Sequence, residues 1–187
     1  NLATVFVWSL WLKGVGILAI LFGSRWRTPS PWESLYDLLV ALEGRDLAVL
    51  GRPPQWLGSW PAVAGFVGLG VIENLTVVVR SPRLTVVFVA GYTLAMVVGA
   101  VLFGRAWFER ADVLTVLYRL LGRVAPITVD RTADGGARIR LRAPWTGSGR
   151  AVADGSLVVF VIAAVYTVSF DGFSETREFQ ALLFETR

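Results

Sequence analysis

Four polar side chains interrupt otherwise apolar runs, and any chemistry in this sequence would start from them. Lys13 stands near the middle of the run 2–23, Glu73 and Asn74 lie inside 60–79, and Asp171 closes the run 156–173, followed at once by Gly172. A charge held at the centre of a bilayer costs about 2.5–3.5 kcal/mol on insertion scales, so such groups face protein, water or each other. Two readings of the set stand. One is an ion or proton path, with Lys13 as counter-ion to a carboxylate. The other is structural: a buried ion pair, Asn74 joining helices by hydrogen bonds, Lys13 snorkelling to an interface, and Asp171-Gly172 ending a helix. Glu73 beside Asn74 is the better functional candidate, because neither lies close to the expected helix end.

Other chemistries lack their residues. The chain has no His and no Cys, which removes the usual general base and pH switch, the commonest metal ligand and any thiolate site. There is no Ser–His constellation, no GxSxG, no phosphate loop and no HExxH. Scattered carboxylates alone do not make a metal centre. The sequence therefore assigns no catalytic residue and no metal ligand, and it specifies no cofactor.

The elements that must position the polar residues are membrane helices. Hydrophobic residues make up 55% of the 187 and charged residues 17%, against about 25% charged in ordinary soluble domains. Mean hydropathy is +0.60, and the eight Trp suit a water–lipid interface. The fold class read from this is an all-α, multi-pass protein of the cell membrane, with four transmembrane helices over about 2–23, 60–79, 84–103 and 156–171. Residue 1 is Asn, no charged segment precedes the first apolar run and no small-residue cleavage site follows it. The expectation is a fragment or processed product of a longer prokaryotic protein rather than a signal peptide.

Between the spans lie amphipathic segments. Ser30-Pro31-Trp32-Glu33 has the form of a helix start, with Ser30 as N-cap and Glu33 at the third position. The helix predicted over 31–43 is too short and polar to cross a membrane, and is expected to lie in the interface. A second amphipathic helix is predicted over 106–122. A β-hairpin follows over 127–142, turning at Asp134-Gly135-Gly136. Residues 174–187 are polar and then partly apolar, a pattern for a short helix.

Two similar units are legible. One span ends Leu21-Phe22-Gly23-Ser24-Arg25-Trp26 and another Leu102-Phe103-Gly104-Arg105-Ala106-Trp107. Each runs on into Leu-Tyr-x-Leu-Leu, at Leu35-Tyr36 and at Leu117-Tyr118. The expected units are 1–80 and 81–187, a parallel repeat of the kind some transporters show, pairing Glu73 with Asp171. The loops 24–59 and 104–155 hold thirteen Arg, against four on the opposite side. That excess puts the amphipathic helices and the hairpin on the cytoplasmic side. Basic residues beside apolar spans are explained by topology and anionic headgroups, so nucleic acid is not an expected partner. The expected headgroup contacts are Arg25, Trp26, Arg27, Arg105, Trp107, Arg138, Arg140 and Arg142. The other expected partners are further spans of the same full-length chain or a second copy of it.

The segments Asn1 to Trp8 (NLAxxFVW), Arg27 to Trp32 (RxxxPW), Gly58-Ser59-Trp60-Pro61, Leu102 to Arg110 (LFGRxWFER) and Val168 to Thr176 (VSFDGFSET) resemble an uncharacterised family of multi-spanning prokaryotic membrane proteins. Some of its members carry the label fenitrothion hydrolase. The resemblance covers nearly the whole chain and implies further spans on both sides. It also implies hydrolysis of an organophosphate-type ester, with catalytic residues outside these 187. Lys13 stands where an apolar or small residue is expected of the family. The functional alternatives at this point are a transporter-like protein with a polar intramembrane path, a membrane-bound hydrolase, and a structural membrane subunit.

Overall fold

The computed structural model describes residues 2–24, 30–131, 137–149, 154–174 and 176–184. The first long helix is made of three consecutive pieces: α1 (Leu2–Thr4), a π-helical stretch Val5–Leu12, and α2 (Lys13–Phe22). It stops where Gly23 takes φ 78°, a conformation that costs glycine little. α3 (Pro31–Glu43) starts as its sequence predicts: the Glu33 amide donates to Ser30 Oγ at 3.3 Å, and Pro31 opens the first turn. Then come α4 (Trp60–Leu75), α5 (Pro82–Phe103), α6 (Ala106–Ala111) and α7 (Val113–Leu121). Strands β1 (Ile127–Arg131) and β2 (Ala137–Leu141) pair antiparallel with Val129 opposite Ile139, in the expected hairpin. Its expected turn, 134–136, lies outside the described residues. α8 (Pro144–Ser148), α9 (Gly155–Ser174) and α10 (Arg177–Phe184) complete the chain.

Three helices are long and apolar enough to cross a membrane, over Val5–Phe22, Gln55–Asn74 and Pro82–Phe103. α9 carries a shorter apolar run, Gly155–Phe170. The helix expected over 60–79 ends earlier, at Leu75, so Glu73 and Asn74, expected away from the helix end, lie in its last turn. Asn74 Nδ2 donates to the Gly70 carbonyl and Thr76 Oγ1 to the Ile72 carbonyl, and the β-branched run Thr76-Val77-Val78-Val79 then turns into a 3-10 segment. Asp171-Gly172 does not end α9, which continues to Ser174.

The long helices pair in two parallel sets. Trp8 Nε1 donates to Thr85 Oγ1 at 3.2 Å and its ring stacks on Phe88 at 5.9 Å, near the starts of the first long helix and of α5. Trp11 and Tyr92, each midway along its helix, both meet the Trp32 ring, at 6.0 and 5.0 Å. α4 and α9 start together, where the Ser59 amide donates to Ser156 Oγ at 2.6 Å. They stay together through Phe66 against Phe160 and Gly70 against Thr167.

α3 and α7, expected as interfacial helices, lie alongside the long helices. α3 begins at Trp32, beside the midpoints of two long helices, and runs along the second half of α5, where Tyr36 shares a core with Met96 and Ala100. α7 begins where the Val113 amide donates to Tyr92 Oη at 3.0 Å, and runs along the second half of the first long helix until Gly122 meets Gly23 and Ser24. The expected helix 106–122 is thus two helices, broken at Asp112, whose backbone is extended. The reason lies in the faces. α3 buries Trp32 and Tyr36 on one side and exposes Leu35, Leu38, Leu39 and Leu42 on another, so it is apolar on two sides. A helix of that kind has no broad polar face to give to water.

α6 packs back against the end of α5, with Trp107 stacked on Phe103 at 5.4 Å and its indole nitrogen against Gly99. A Cβ at Gly99 would collide with that ring. We expect Gly99→Ala to destabilise the protein by about 1–3 kcal/mol through overpacking, measured by unfolding in detergent micelles. A smaller ring in Gly99→Ala/Trp107→Phe should recover part of the loss. Unchanged stability of the single variant would show that the ring does not occupy this place.

Candidate functional site

Two polar features lie inside the bundle, a groove and a buried carboxylate beside it. The groove has a volume of about 350 Å³. One wall is a single face of the first long helix: Trp8, Leu12, Lys13, Gly16, Ile17 and Ile20, spaced as successive helical turns require. The facing wall is Phe66, Leu69, Gly70 and Glu73 of α4, with Thr167 of α9. The floor is α7, through Val113, Leu114, Leu117, Tyr118 and Leu121. Glycines at positions 16 and 70 let neighbours approach: Tyr118 lies against Gly16 and Thr167 against Gly70. Lys13 and Glu73 are both exposed, and among the described residues neither forms an ion pair. Among the described residues they are the only charged side chains lining an otherwise largely apolar groove.

The structure therefore brings together two of the four polar residues singled out from the sequence. Asn74 is exposed at the end of α4 and its amide bonds within its own helix. Asp171 lies near the end of α9, and its side chain is outside the described set.

The expected headgroup residues divide. Arg25, Trp26 and Arg27 lie outside the described residues. Arg138 and Arg140 are exposed on the hairpin. Arg142 instead points into the protein, where its guanidinium donates to the carbonyls of Gly122, Arg123 and Ala125 at 2.8–3.0 Å and closes the end of α7. Arg105 pairs with Asp37, lies 3.9 Å from Asp46 and sits over the Tyr36 ring, so it joins α5 to α3. Trp107 turns inward, and its Nε1 is buried without a hydrogen-bond partner among the described residues.

The residue that sequence reading misses is Asp112. It is fully buried. Its carboxylate accepts from Trp32 Nε1 at 3.1 Å and from Tyr92 Oη at 2.7 Å, and also from the amides of Leu114 and Thr115 at 3.2 Å each. The Thr115 hydroxyl donates to it as well. The available signal is Asp112-Val113-Leu114-Thr115 ahead of an apolar run, which is an N-cap pattern. Beside this centre an apolar pocket of about 30 Å³ lies among Trp8, Trp11, Trp32, Phe88 and Tyr92.

A third feature lies at the shared start of α4 and α9. Asp154 accepts from the Ser156 amide at 2.9 Å and from Ser156 Oγ at 2.7 Å, while Ser156 Oγ accepts from the Ser59 amide. The Ser156 hydrogen bond holds the Asp154 carboxyl below the ordinary range.

No protein-family model, no curated protein and no solved structure matches the chain. Among the described residues no group of three or more His, Cys, Asp or Glu is placed to hold a metal ion.

Two outcomes follow from these geometries. Asp112→Ala removes a cap and leaves the buried Trp32 and Tyr92 donors without their acceptor, which should cost about 2–4 kcal/mol. Asp112→Asn, which keeps an acceptor oxygen, should cost less. Unfolding in micelles ranks the two, and equal stability of all three proteins would contradict the network. Because the Asp154 pKa is depressed in the folded state, its stabilising effect is complete above the unfolded value of about 3.9 and is lost as pH falls through the folded value. Stability measured between pH 7 and pH 3 should therefore fall less steeply at the acid end in Asp154→Asn than in the wild type. Parallel curves would remove Asp154 from the acid response.

Proposed function

We propose that this chain forms a transporter-like, multi-pass integral membrane protein whose polar intramembrane path is the groove between the first long helix, α4, α9 and α7. The observation that carries the reading is that Lys13 and Glu73, from two different apolar helices, line one groove floored by a helix that starts among buried side chains. A polar path between apolar helices needs polar groups from more than one of them. A purely structural subunit would close such a groove by packing. The ester-hydrolase reading places its catalytic residues outside these 187, so the groove does not bear on it.

In this reading α9 is a fourth span. Its twenty residues cover about 30 Å, and it lies parallel to α4. The units 1–80 and 81–187 are then two parallel repeats, and several local matches support this. Gly23 and Gly104 end the preceding helices with φ 78° and 73°. Ser30 and Asp112 are both fully buried N-caps, each six positions before the Tyr of the Leu-Tyr motif. Both Tyr hydroxyls donate to backbone carbonyls, of Leu47 and Leu12. The repeats are intertwined, because α3 packs on α5 of the other unit and α7 on the first long helix of the other unit. α3 and α7 would be half-membrane helices, and the irregular backbone before each is tolerable at depth because protein surrounds it. The Arg excess places the hairpin in the cytoplasm, where exposed Arg138 and Arg140 meet anionic headgroups.

The chain has no Cys, so single cysteines report access directly. Ile17→Cys and Thr167→Cys in the groove should react with a membrane-impermeant, charged thiol reagent in proteoliposomes. Val87→Cys and Leu94→Cys, on the outer surface of α5, should react far more slowly. Equal inertness at all four positions would sink the polar path.

A further inference from the structure

The groove's own chemistry narrows what it carries, and this step rests on the groove being a path. A monovalent ion of either sign drawn to one of its two charged residues is repelled by the other. A solute with both charges and no net charge matches both. The rest of the lining is apolar. Ile17 and Ile20, on the first-helix wall, keep 58% and 39% of their surface exposed, so the groove opens sideways onto the outside of the bundle rather than being enclosed by it. In a bilayer that outside is hydrocarbon. A free zwitterion would meet apolar wall and lipid over most of its surface. A molecule whose polar part is dipolar and whose remainder is hydrocarbon meets a complementary surface at both ends.

We propose that the groove takes the headgroup of a zwitterionic phospholipid, with the phosphate at Lys13, the ammonium at Glu73 and the acyl chains left in the bilayer, and that it lets this headgroup pass between leaflets. Lys13 donates from a flexible four-carbon arm, which suits a phosphate that changes depth. Glu73 supplies the matching anion for the amine. Phosphatidylglycerol shares the phosphate but has no cation for Glu73, and a headgroup whose only charge is negative is opposed there.

The purified protein is reconstituted into phosphatidylcholine vesicles with a trace of acyl-chain-labelled fluorescent lipid, and dithionite bleaches the label in the outer leaflet. With protein present, labelled phosphatidylethanolamine should bleach beyond the outer-leaflet fraction, and labelled phosphatidylglycerol should cross more slowly. Lys13→Met and Glu73→Gln should each slow the zwitterionic lipid by about tenfold, the scale of one lost charge-assisted contact. The exchanged pair Lys13→Glu/Glu73→Lys should be faster than Lys13→Glu or Glu73→Lys alone, and the preference for the zwitterionic over the anionic label, which a merely structural role does not set, should be lost in each single variant. Unaltered helix content by circular dichroism shows that each variant is folded. Equal rates for the two labelled lipids, or variant rates equal to wild type, would overturn the proposal. If Ile17→Cys and Thr167→Cys react with the charged thiol reagent while no lipid crosses, the substrate class is wrong and the path stands. If the cysteines are inert as well, both fail.

Discussion

The fold turns on one carboxylate. A helix that starts among packed side chains carries amides with no partner in its first turn, and burying them without acceptors would cost more than the helix gains. Asp112 meets this cost for α7 by accepting two of those amides directly. Its remaining lone pairs take the Trp32 indole and the Tyr92 phenol, so the same group fixes α3 and α5 against α7. Ser30 does the corresponding work for α3 with a neutral hydroxyl and one amide. The asymmetry matches the load, since Asp112 joins three helices and Ser30 closes one.

The carboxylate also explains why the groove has a floor. α7 runs along the first long helix, with the Tyr118 hydroxyl on the Leu12 carbonyl at 2.6 Å, and it packs on α4, where Val113 presses against Gly65. A helix lying across the end of the bundle in its place would leave the space between the first long helix and α4 open. Beginning α7 in the interior instead gives that space a protein surface, made of Val113, Leu114, Leu117, Tyr118 and Leu121.

Local features are legible in the sequence because they are local. The start of α3 follows from Ser30 and Pro31, the hairpin from its alternation, and the glycines at 23 and 104 from where the apolar runs stop. What periodicity does not carry is the surface against which a face packs. Trp32 and Tyr36 of α3 are buried against the protein, whereas its Leu stripe is exposed. Asp112 closes the string Glu109-Arg110-Ala111-Asp112, where by spacing alone it is one more charge on a polar face. Arg142 shares the alternation of Arg138 and Arg140, and only the fold shows that carbonyls at the end of α7 claim it. Lys13 and Glu73 stand out by charge, while their convergence is a property of helix packing that no spacing within either segment encodes.

The first long helix adds a last constraint. Its π-helical stretch ends at Leu12, immediately before Lys13. A π turn takes more residues per turn than an α turn, so residues on either side of the junction are rotated relative to their places on a uniform helix. Here the junction carries three features together: Trp8 and Leu12 on the groove wall, the Leu12 carbonyl that receives the Tyr118 hydroxyl, and Lys13 itself. Where two hydrogen-bond patterns meet, the ladder is interrupted and a carbonyl is accessible to a side-chain donor. The contact that seats α7 on the first helix is therefore made at the irregular point of that helix. It lies next to the one charge which that helix contains, so the seating of the floor and the placement of Lys13 depend on the same turn.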